Sequence, residues 1–466
     1  MQATRSKQKL ILESKNLYKS ILILALPIFL SNFMKAMNDF IDMYFVSNFL
    51  DDASVGAGIA AISVTGPIFS ISQALAGGMM IAGAAMMAQF LGAKRKDRAA
   101  KVAGQLLRLC VFAGLLMNAL LFLLAPNIVR WMGATGLQAD LMVDYVRIRS
   151  FEMIPLFAFY AFQASRTASG DTVSPFLLNI AMIVINIVLT WVFIGPLGWG
   201  VFGAGLGTML ANLIIMPIFI LMMFKGRDHH VVIKMSDVTK DNQEIRRIFQ
   251  LAWPVSVSQA LTSLGFLFVN AFILSYGEAT VDAFSVGNRI NSLVLMPSMG
   301  IGGITATFVG QNIGAGNEKR ARESVKAAII LAVAVSVIGG ACLLPFRWEL
   351  GSIFLKRVPE ALDLSVEYMF FLMTNLSIMG IFQVLMGSYQ GSGETKFSLI
   401  IATLRLWLFR IPLILFFKNV LMLPPSSLWY AMVISNFGAL YIGVILYARC
   451  KFQPKVRLES VTADAT

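Results

Sequence analysis

Ala88-Gln89-Phe90-Leu91-Gly92-Ala93, followed by Arg98-Ala99, returns later in the chain as Gly310-Gln311-Asn312-Ile313-Gly314-Ala315, followed by Arg320-Ala321, at a constant offset. At nearly the same offset Ala168-Ser169-Gly170-Asp171-Thr172 matches Gly391-Ser392-Gly393-Glu394-Thr395, and Asn212 matches Asn436. Leu24-Ala25-Leu26-Pro27 comes back more loosely within Gln250-Leu251-Ala252-Trp253-Pro254. The chain is therefore a duplication, and each copy must carry the same number of structural elements.

Those elements are apolar runs. Ile21 to Leu30, Val102 to Ala125, Ile180 to Ile194, Ala327 to Leu344 and Ile411 to Phe417 with their flanks approach or reach membrane-spanning length. The 466 residues are 57% hydrophobic and 14% charged, against roughly a quarter charged in ordinary soluble domains. Lipid is the solvent this composition demands, and no soluble domain is left over. The pattern predicts helices near 18–48, 54–76 continuing brokenly to 91, 99–124, 138–165, 173–194 and 202–224. A second set follows near 249–275, 282–313 (broken again), 321–346, 359–389, 396–417 and 428–449. An all-α polytopic membrane protein of about twelve helices results, with an N-terminal lobe at 18–224 and a C-terminal lobe at 248–449. The tails are 1–17 and 450–466, and the polar stretch 225–247 is the linker. Six helices per half start each copy on the same side of the bilayer, so the repeat is parallel and a central cleft between the lobes is expected.

The net charge of +13 does not point to nucleic acid, because the basic residues sit in short segments between apolar runs. With a cytoplasmic N-terminus, about 26 Lys and Arg fall in the tails and even-numbered loops and about 5 in the odd-numbered loops. Both termini are expected inside, in a cell inner membrane. Arg5, Lys7, Lys9, Lys15 and Lys19 precede the first apolar run, which continues through Pro27 beyond Phe45 without a small-residue cleavage pattern and is read as a retained helix. Cys110, Cys342 and Cys450 are dispersed, and His229 and His230 are neighbours in the linker. They suggest no metal site, disulfide framework or catalytic constellation.

The run Val286-Gly287-Asn288-Arg289 through Pro297 to Val309-Gly310-Gln311-Asn312-Ile313-Gly314-Ala315-Gly316, then Ala321, resembles the eighth helix and following loop of the multidrug and toxic compound extrusion (MATE) family. Leu26-Pro27 with Ile41-Asp42 and Phe45-Val46, and Arg405-Leu406-Trp407 with Phe409-Arg410-Ile411-Pro412, are similar to that family's first and eleventh helices. The resemblance runs from about Leu24 to Arg449. It implies a secondary transporter, in a superfamily that also holds flippases for polysaccharides and lipid-linked sugars.

An ionisable side chain within a span is a functional candidate by default. Asp39 and Asp42 stand three residues apart, on one face of the first helix, and solvation at the aqueous end of that helix is the plain alternative. The resemblance singles out Asp42, which falls where many relatives hold an aspartate implicated in cation coupling. It also implies supporting roles for Asn186, Thr190 and Thr208 on the fifth and sixth helices, with interhelical hydrogen bonding the alternative for Asn186 and Thr208. Thr190 departs from relatives that carry an aspartate there, which weakens a sodium site. Coupling is therefore expected in the first lobe, to H+ or Na+, with no cofactor. The second lobe offers Gln259, Ser263, Asn270 and Asn375 where another branch carries acids.

The 26 methionines suit a pocket that repacks around dissimilar ligands, although most must pack between helices or face lipid. Met34, Met37, Met296 and Met299, with Gln259 and Asn270, are the cleft candidates. Gly77, Gly78, Gly300, Gly302 and Gly303 mark the two places where long apolar segments are expected to break, although close helix packing would use the same glycines. Arg166, Arg289, Arg405 and Arg410 are read as interfacial anchors. The absence of a GxxxxGK[ST] run argues against ATP-driven export. The function expected is antiport of amphipathic or cationic organic compounds by a monomer with lipid as its surroundings and no nucleic-acid partner. A flippase or exporter of a lipid-linked or polyanionic substrate is the alternative.

Overall fold

The computed structural model describes residues 2–49, 52–225, 231–239, 241–356 and 358–454. The side chains of residues 2–6, 39, 40, 42, 43, 46–49, 52–57, 59, 60, 63 and 64 lie outside that description. In chain order the helices are α1 (Gln2–Leu12), α2 (Leu17–Phe49), α3 (Asp52–Gly92), α4 (Lys96–Trp131), α5 (Gly136–Ser150), α6 (Met153–Ala168), α7 (Val173–Ile194) and α8 (Gly200–Phe224). The single turn α9 (Met235–Val238) precedes α10 (Asn242–Leu274), α11 (Glu278–Gly314), α12 (Glu318–Leu343), α13 (Arg347–Leu355) and α14 (Pro359–Ser392). A π-helical segment, Leu404–Arg410, joins α15 (Thr395–Thr403) to α16 (Ile411–Asn419), and α17 (Ser427–Arg449) closes the described chain.

Eleven stretches of the described residues are long and apolar enough to cross a membrane, with α12 and α13 forming one and α15 through α16 another. The remaining expected span, near 138–165, is two helices separated by Phe151 and Glu152. Its charge is partnered within this segment: Arg149 donates to Glu152 at 2.9 Å and to the Tyr145 hydroxyl at 3.0 Å. The same guanidinium lies 4.2 Å from the centre of the Phe69 ring. Large side chains such as Leu177, Val184, Val188 and Trp191 stand exposed along α7, as lipid-facing surfaces do and water-facing ones rarely do. The chain is an all-α multi-pass membrane protein.

The expected helix breaks are absent. Helix α3 runs without interruption through Gly77 and Gly78, and α11 through Gly300, Gly302 and Gly303. Gly78, Gly300 and Gly302 serve close approach instead. A Cβ on Gly78 would stand 2.6 Å from the backbone nitrogen of Ser256, one on Gly300 2.9 Å from the Ala25 carbonyl oxygen, and one on Gly302 2.6 Å from that of Gln383. Glycine costs a helix about 1 kcal/mol of propensity, a loss that interhelical packing at these distances offsets without any break.

The chain divides into two compact units. The first comprises Met1–Lys7, Leu30–Met87 and Arg95–Ser256. Here the linker is docked on α4: the Gln105 side-chain amide donates to the carbonyls of Asp237 (2.6 Å) and Thr239 (2.5 Å) and accepts from the Asp241 N–H. Lys101 pairs with Asp241 at 2.5 Å. Lys7 pairs with Asp171 at 2.9 Å in the turn between α6 and α7.

The second unit comprises Gln8–Phe29, Ala88–Lys94 and Val257–Thr466. Its core is built on Phe308, Phe382, Leu385 and Tyr389 with Ile11, Ile21 and Leu24 from the chain's start. The two copies of the duplicated motif meet inside it. A Cβ on Gly92 would stand 2.8 Å from the Gln311 carbonyl carbon, and one on Gly314 2.7 Å from that of Gln89. Each copy's glycine thus admits the other copy's backbone. That reciprocal contact explains why glycine recurs at the same point of both motifs.

Candidate functional site

Helix α7 carries its polar residues as a stripe. Asn179, Asn186 and Thr190 are spaced by seven and four residues, which puts all three on one face of a helix with 3.6 residues per turn. All three are buried. Buried amides and hydroxyls need partners, and the stripe finds them on neighbouring helices. The Asn179 amide donates to the Ser31 hydroxyl on α2. The Asn186 amide donates to Thr208 Oγ1 on α8 at 3.1 Å and reaches Thr190 Oγ1 at 3.4 Å, while Thr208 donates on to the Ala204 carbonyl at 3.1 Å.

Small residues on α8 make that meeting possible. Gly203, Ala204, Gly205 and Gly207 are buried, and a Cβ on Gly207 would stand 2.7 Å from Thr190 Oγ1. The structure therefore brings Asn186, Thr190 and Thr208 together. All three are neutral, so any charge at this cluster must come from elsewhere. Asp39 and Asp42 belong to α2, and their side chains lie outside the described residues.

Other expected site residues are scattered along their elements. Met34 is half-buried and Met37 exposed on α2. Gln259 and Asn270 are exposed on α10, and on α11 Met296 is buried while Met299 is exposed. Among the described residues no group of three His, Cys, Asp or Glu is arranged to hold a metal ion.

The arginines correct the sequence expectation. Arg289 is exposed, but Arg166, Arg405 and Arg410 are buried, where an interfacial anchor would reach towards water. Arg166 donates to the Met222 carbonyl. Arg405 and Arg410 bound the buried face of the π-helical segment, and Arg410 donates to Ser435 Oγ at 3.0 Å and Asn436 Oδ1 at 2.8 Å on α17. Pro412 supplies the local cause. It has no N–H to give to the Leu408 carbonyl four residues back, and its ring crowds that carbonyl, so the preceding turn widens.

The MatE family model matches residues 27–192 and 254–416, well over half of the chain. The chain belongs to the MatE family. It is similar to the probable multidrug resistance protein YoeA of Bacillus subtilis (strain 168), at 24% identity across 91% of this chain and 92% of the relative. The multidrug export protein MepA of Staphylococcus haemolyticus (strain JCSC1435) is 22% identical across 85% of this chain and 86% of its own. Among solved structures, a MOP superfamily transporter from Pyrococcus furiosus, described by "reverse polarity of binding pocket", superposes with TM-score 0.88 at 23% identity over 96% of this chain and 97% of that one. A MATE in complex with MaL6 gives TM-score 0.88 at 24% identity over 96% and 98%. These likenesses establish the MATE fold over 96% of the chain, and the chain is a MATE family transporter.

Proposed function

We propose that this MATE family transporter is a secondary active antiporter. It exports amphipathic or cationic drugs and toxic organic compounds in exchange for H+ by alternating access of two lobes, 18–224 and 248–449. It acts as a monomer in the cell inner membrane with both termini cytoplasmic, needs no cofactor, and takes small organic molecules rather than nucleic acid as partners. Relatives named for multidrug resistance and multidrug export support the substrate class.

The observation that carries the coupling proposal is the neutral hydrogen-bonded cluster of Asn186, Thr190 and Thr208. Its helix is tied through Asn179 to Ser31 on α2, the helix that also carries Asp39 and Asp42. Asp42 lies eleven residues beyond Ser31, about three helical turns. A sodium ion wants several hard oxygens with enough negative charge to offset its desolvation. A hydroxyl at position 190 supplies oxygen without charge. One carboxylate among neutral partners is better matched to a proton, so H+ is favoured over Na+, with Asp42 as the carrier and Asp39 in a secondary role. Cells expressing the chain should extrude a permanently charged fluorescent cation, and a protonophore should stop them; extrusion that survives the protonophore at constant sodium would contradict proton coupling.

The flippase alternative draws on buried cations. Arg405 and Arg410 are buried cations of that kind.

A further inference from the structure

Two guanidinium groups lie buried five residues apart in one π-helical segment. In an α-helix, residues five apart point about 140° away from each other. A π-helix closes its hydrogen bonds at i+5, so residue 410 returns to the side of the segment that residue 405 occupies. The widened turn gathers the two cations that ordinary helical geometry would separate.

Among the described residues neither guanidinium has a carboxylate partner. Arg410 is held by a hydroxyl and an amide oxygen, both neutral. Arg405 has weaker company: Nη1 approaches the Met379 sulfur at 3.3 Å, and the guanidinium lies 4.6 Å from the centre of the Phe382 ring. Its Nε is buried with no hydrogen-bond partner among the described residues, although the residue is only 6% exposed. Helix α17 contains no acidic residue, nor does the π segment. On α14, Glu367 lies about 18 Å along the helix axis before Met379, the residue that Arg405 meets. A buried charge is retained at a cost of several kilocalories per mole unless it is paired. Arg is also the side chain whose planar fork fits a carboxylate or phosphate.

We propose that Arg405 and Arg410 form a binding site for a small organic anion, with an aromatic carboxylate the best-fitting class. Arg410 is fixed on α17 as the anchored half, and Arg405 is the half that engages the ligand. The Phe382 ring that faces the Arg405 guanidinium suits an aromatic body. The proposal rests on the exporter reading and extends its substrates from cations to zwitterionic and anionic compounds.

The test is equilibrium binding of naphthoate and its neutral amide, naphthamide, to the full chain in phosphatidylcholine nanodiscs with no gradient imposed. Naphthoate should bind at least about ten-fold more tightly, the scale of a charge-assisted hydrogen-bond pair. Arg405→Gln should bring the two ligands to parity, and Arg405→Lys should keep part of the preference because it keeps the charge and loses the fork. Arg289→Gln, which removes an exposed positive charge elsewhere, should leave the preference intact. Melting temperature and monodispersity of each variant show whether it is folded. Equal binding by the wild-type chain, or a preference that survives Arg405→Gln, overturns the site. Loss of the preference when phosphatidylglycerol is added to the discs overturns the small-anion assignment in favour of a lipid headgroup. Because binding is read without transport, failure of the wild-type chain to extrude a cationic dye would sink the exporter reading while leaving this result to stand or fall by itself.

Discussion

Asn186 and Arg410 occupy corresponding places in the duplicated chain, since the offset that carries Asn212 onto Asn436 also carries Asn186 onto Arg410. In both halves the residue ties its helix to the last helix of that half. Asn186 reaches Thr208 on α8, and Arg410 reaches Ser435 and Asn436 on α17. The backbone role has been kept and the charge changed. The first half places a neutral amide in a regular α-helix, beside a helix that carries two aspartates. The second places a guanidinium at the end of a π turn beside another guanidinium. Duplication fixed where a polar anchor must sit, and each half then acquired its own side chain there, a neutral amide in one and a guanidinium in the other, to which the proposed acid-based coupling and the proposed anion recognition correspond.

The sharpest way to break this division is Asp42→Asn, which keeps size and removes the titratable charge. Gradient-driven export should fall to background while the protein stays folded in the membrane, and Asp39→Asn should do less. Normal dye export by Asp42→Asn cells would move coupling away from the first half altogether.

Next in size are the glycines where the two motif copies meet. Gly92→Ala or Gly314→Ala drives a methyl group into backbone rather than into a movable side chain, and should destabilise by about 1–3 kcal/mol, the usual scale of overpacking. Gly303→Ala meets only the end of Ile28, at 4.0 Å, and should change the melting temperature little. Equal effects at Gly92 and Gly303 would show that the reciprocal contact does not hold the second unit.

The Asn186 and Arg410 comparison itself is sharpened by Arg410→Gln and Asn186→Leu. Asn186→Leu should cost about 1 kcal/mol, the scale of one neutral hydrogen bond, and Arg410→Gln should cost less than the bonds it loses to Ser435 and Asn436 because it also relieves an unpaired buried charge, both read as shifts in thermal unfolding of the purified protein. A loss at Arg410 well above that at Asn186 would show that the guanidinium is compensated by a partner charge.

The smallest expected effect is at Asp171. Burial pushes its carboxyl up, but hydrogen bonds from Ser174 and Lys7 and the Lys7 charge outweigh that and hold it below the ordinary carboxylate value. A depressed carboxyl stabilises the fold above its unfolded pKa, about 3.9, and loses that contribution as pH falls through the lower folded value. Asp171→Asn should therefore be less stable than the wild-type chain at neutral pH, with the gap closing in acid. A gap that persists below the folded value would show that the carboxylate charge is not what stabilises the turn.

Most of the fold was legible because membrane spans are long apolar runs and the duplication repeats whole motifs. The interruption at Phe151 and Glu152 was not, although Asp140, Asp144, Arg147 and Arg149 already set the residues before it apart from the apolar run after it. Gly77, Gly78, Gly300, Gly302 and Gly303 misled for a related reason: glycine weakens a helix and permits close packing alike, and only the neighbouring helix decides between them. Asn186, Thr190 and Thr208 were found through the family resemblance, and their spacing alone would not have joined α7 to α8. Arg405 and Arg410 were visible as residues and misread as anchors. Five-residue spacing implies opposite faces in an α-helix, and the one available hint of a π turn was Pro412 directly after the Arg410-Ile411 pair.

The central claim, that this MATE family transporter couples export to protons through its first half, is tested most directly by the purified chain in liposomes. Transport of a permanently charged fluorescent cation is followed while a pH gradient and a sodium gradient are imposed one at a time. The account predicts transport under the pH gradient without sodium, and a new sodium dependence in Thr190→Asp, which puts a carboxylate into the neutral cluster. Transport that requires sodium in the wild-type chain and ignores the pH gradient would contradict it.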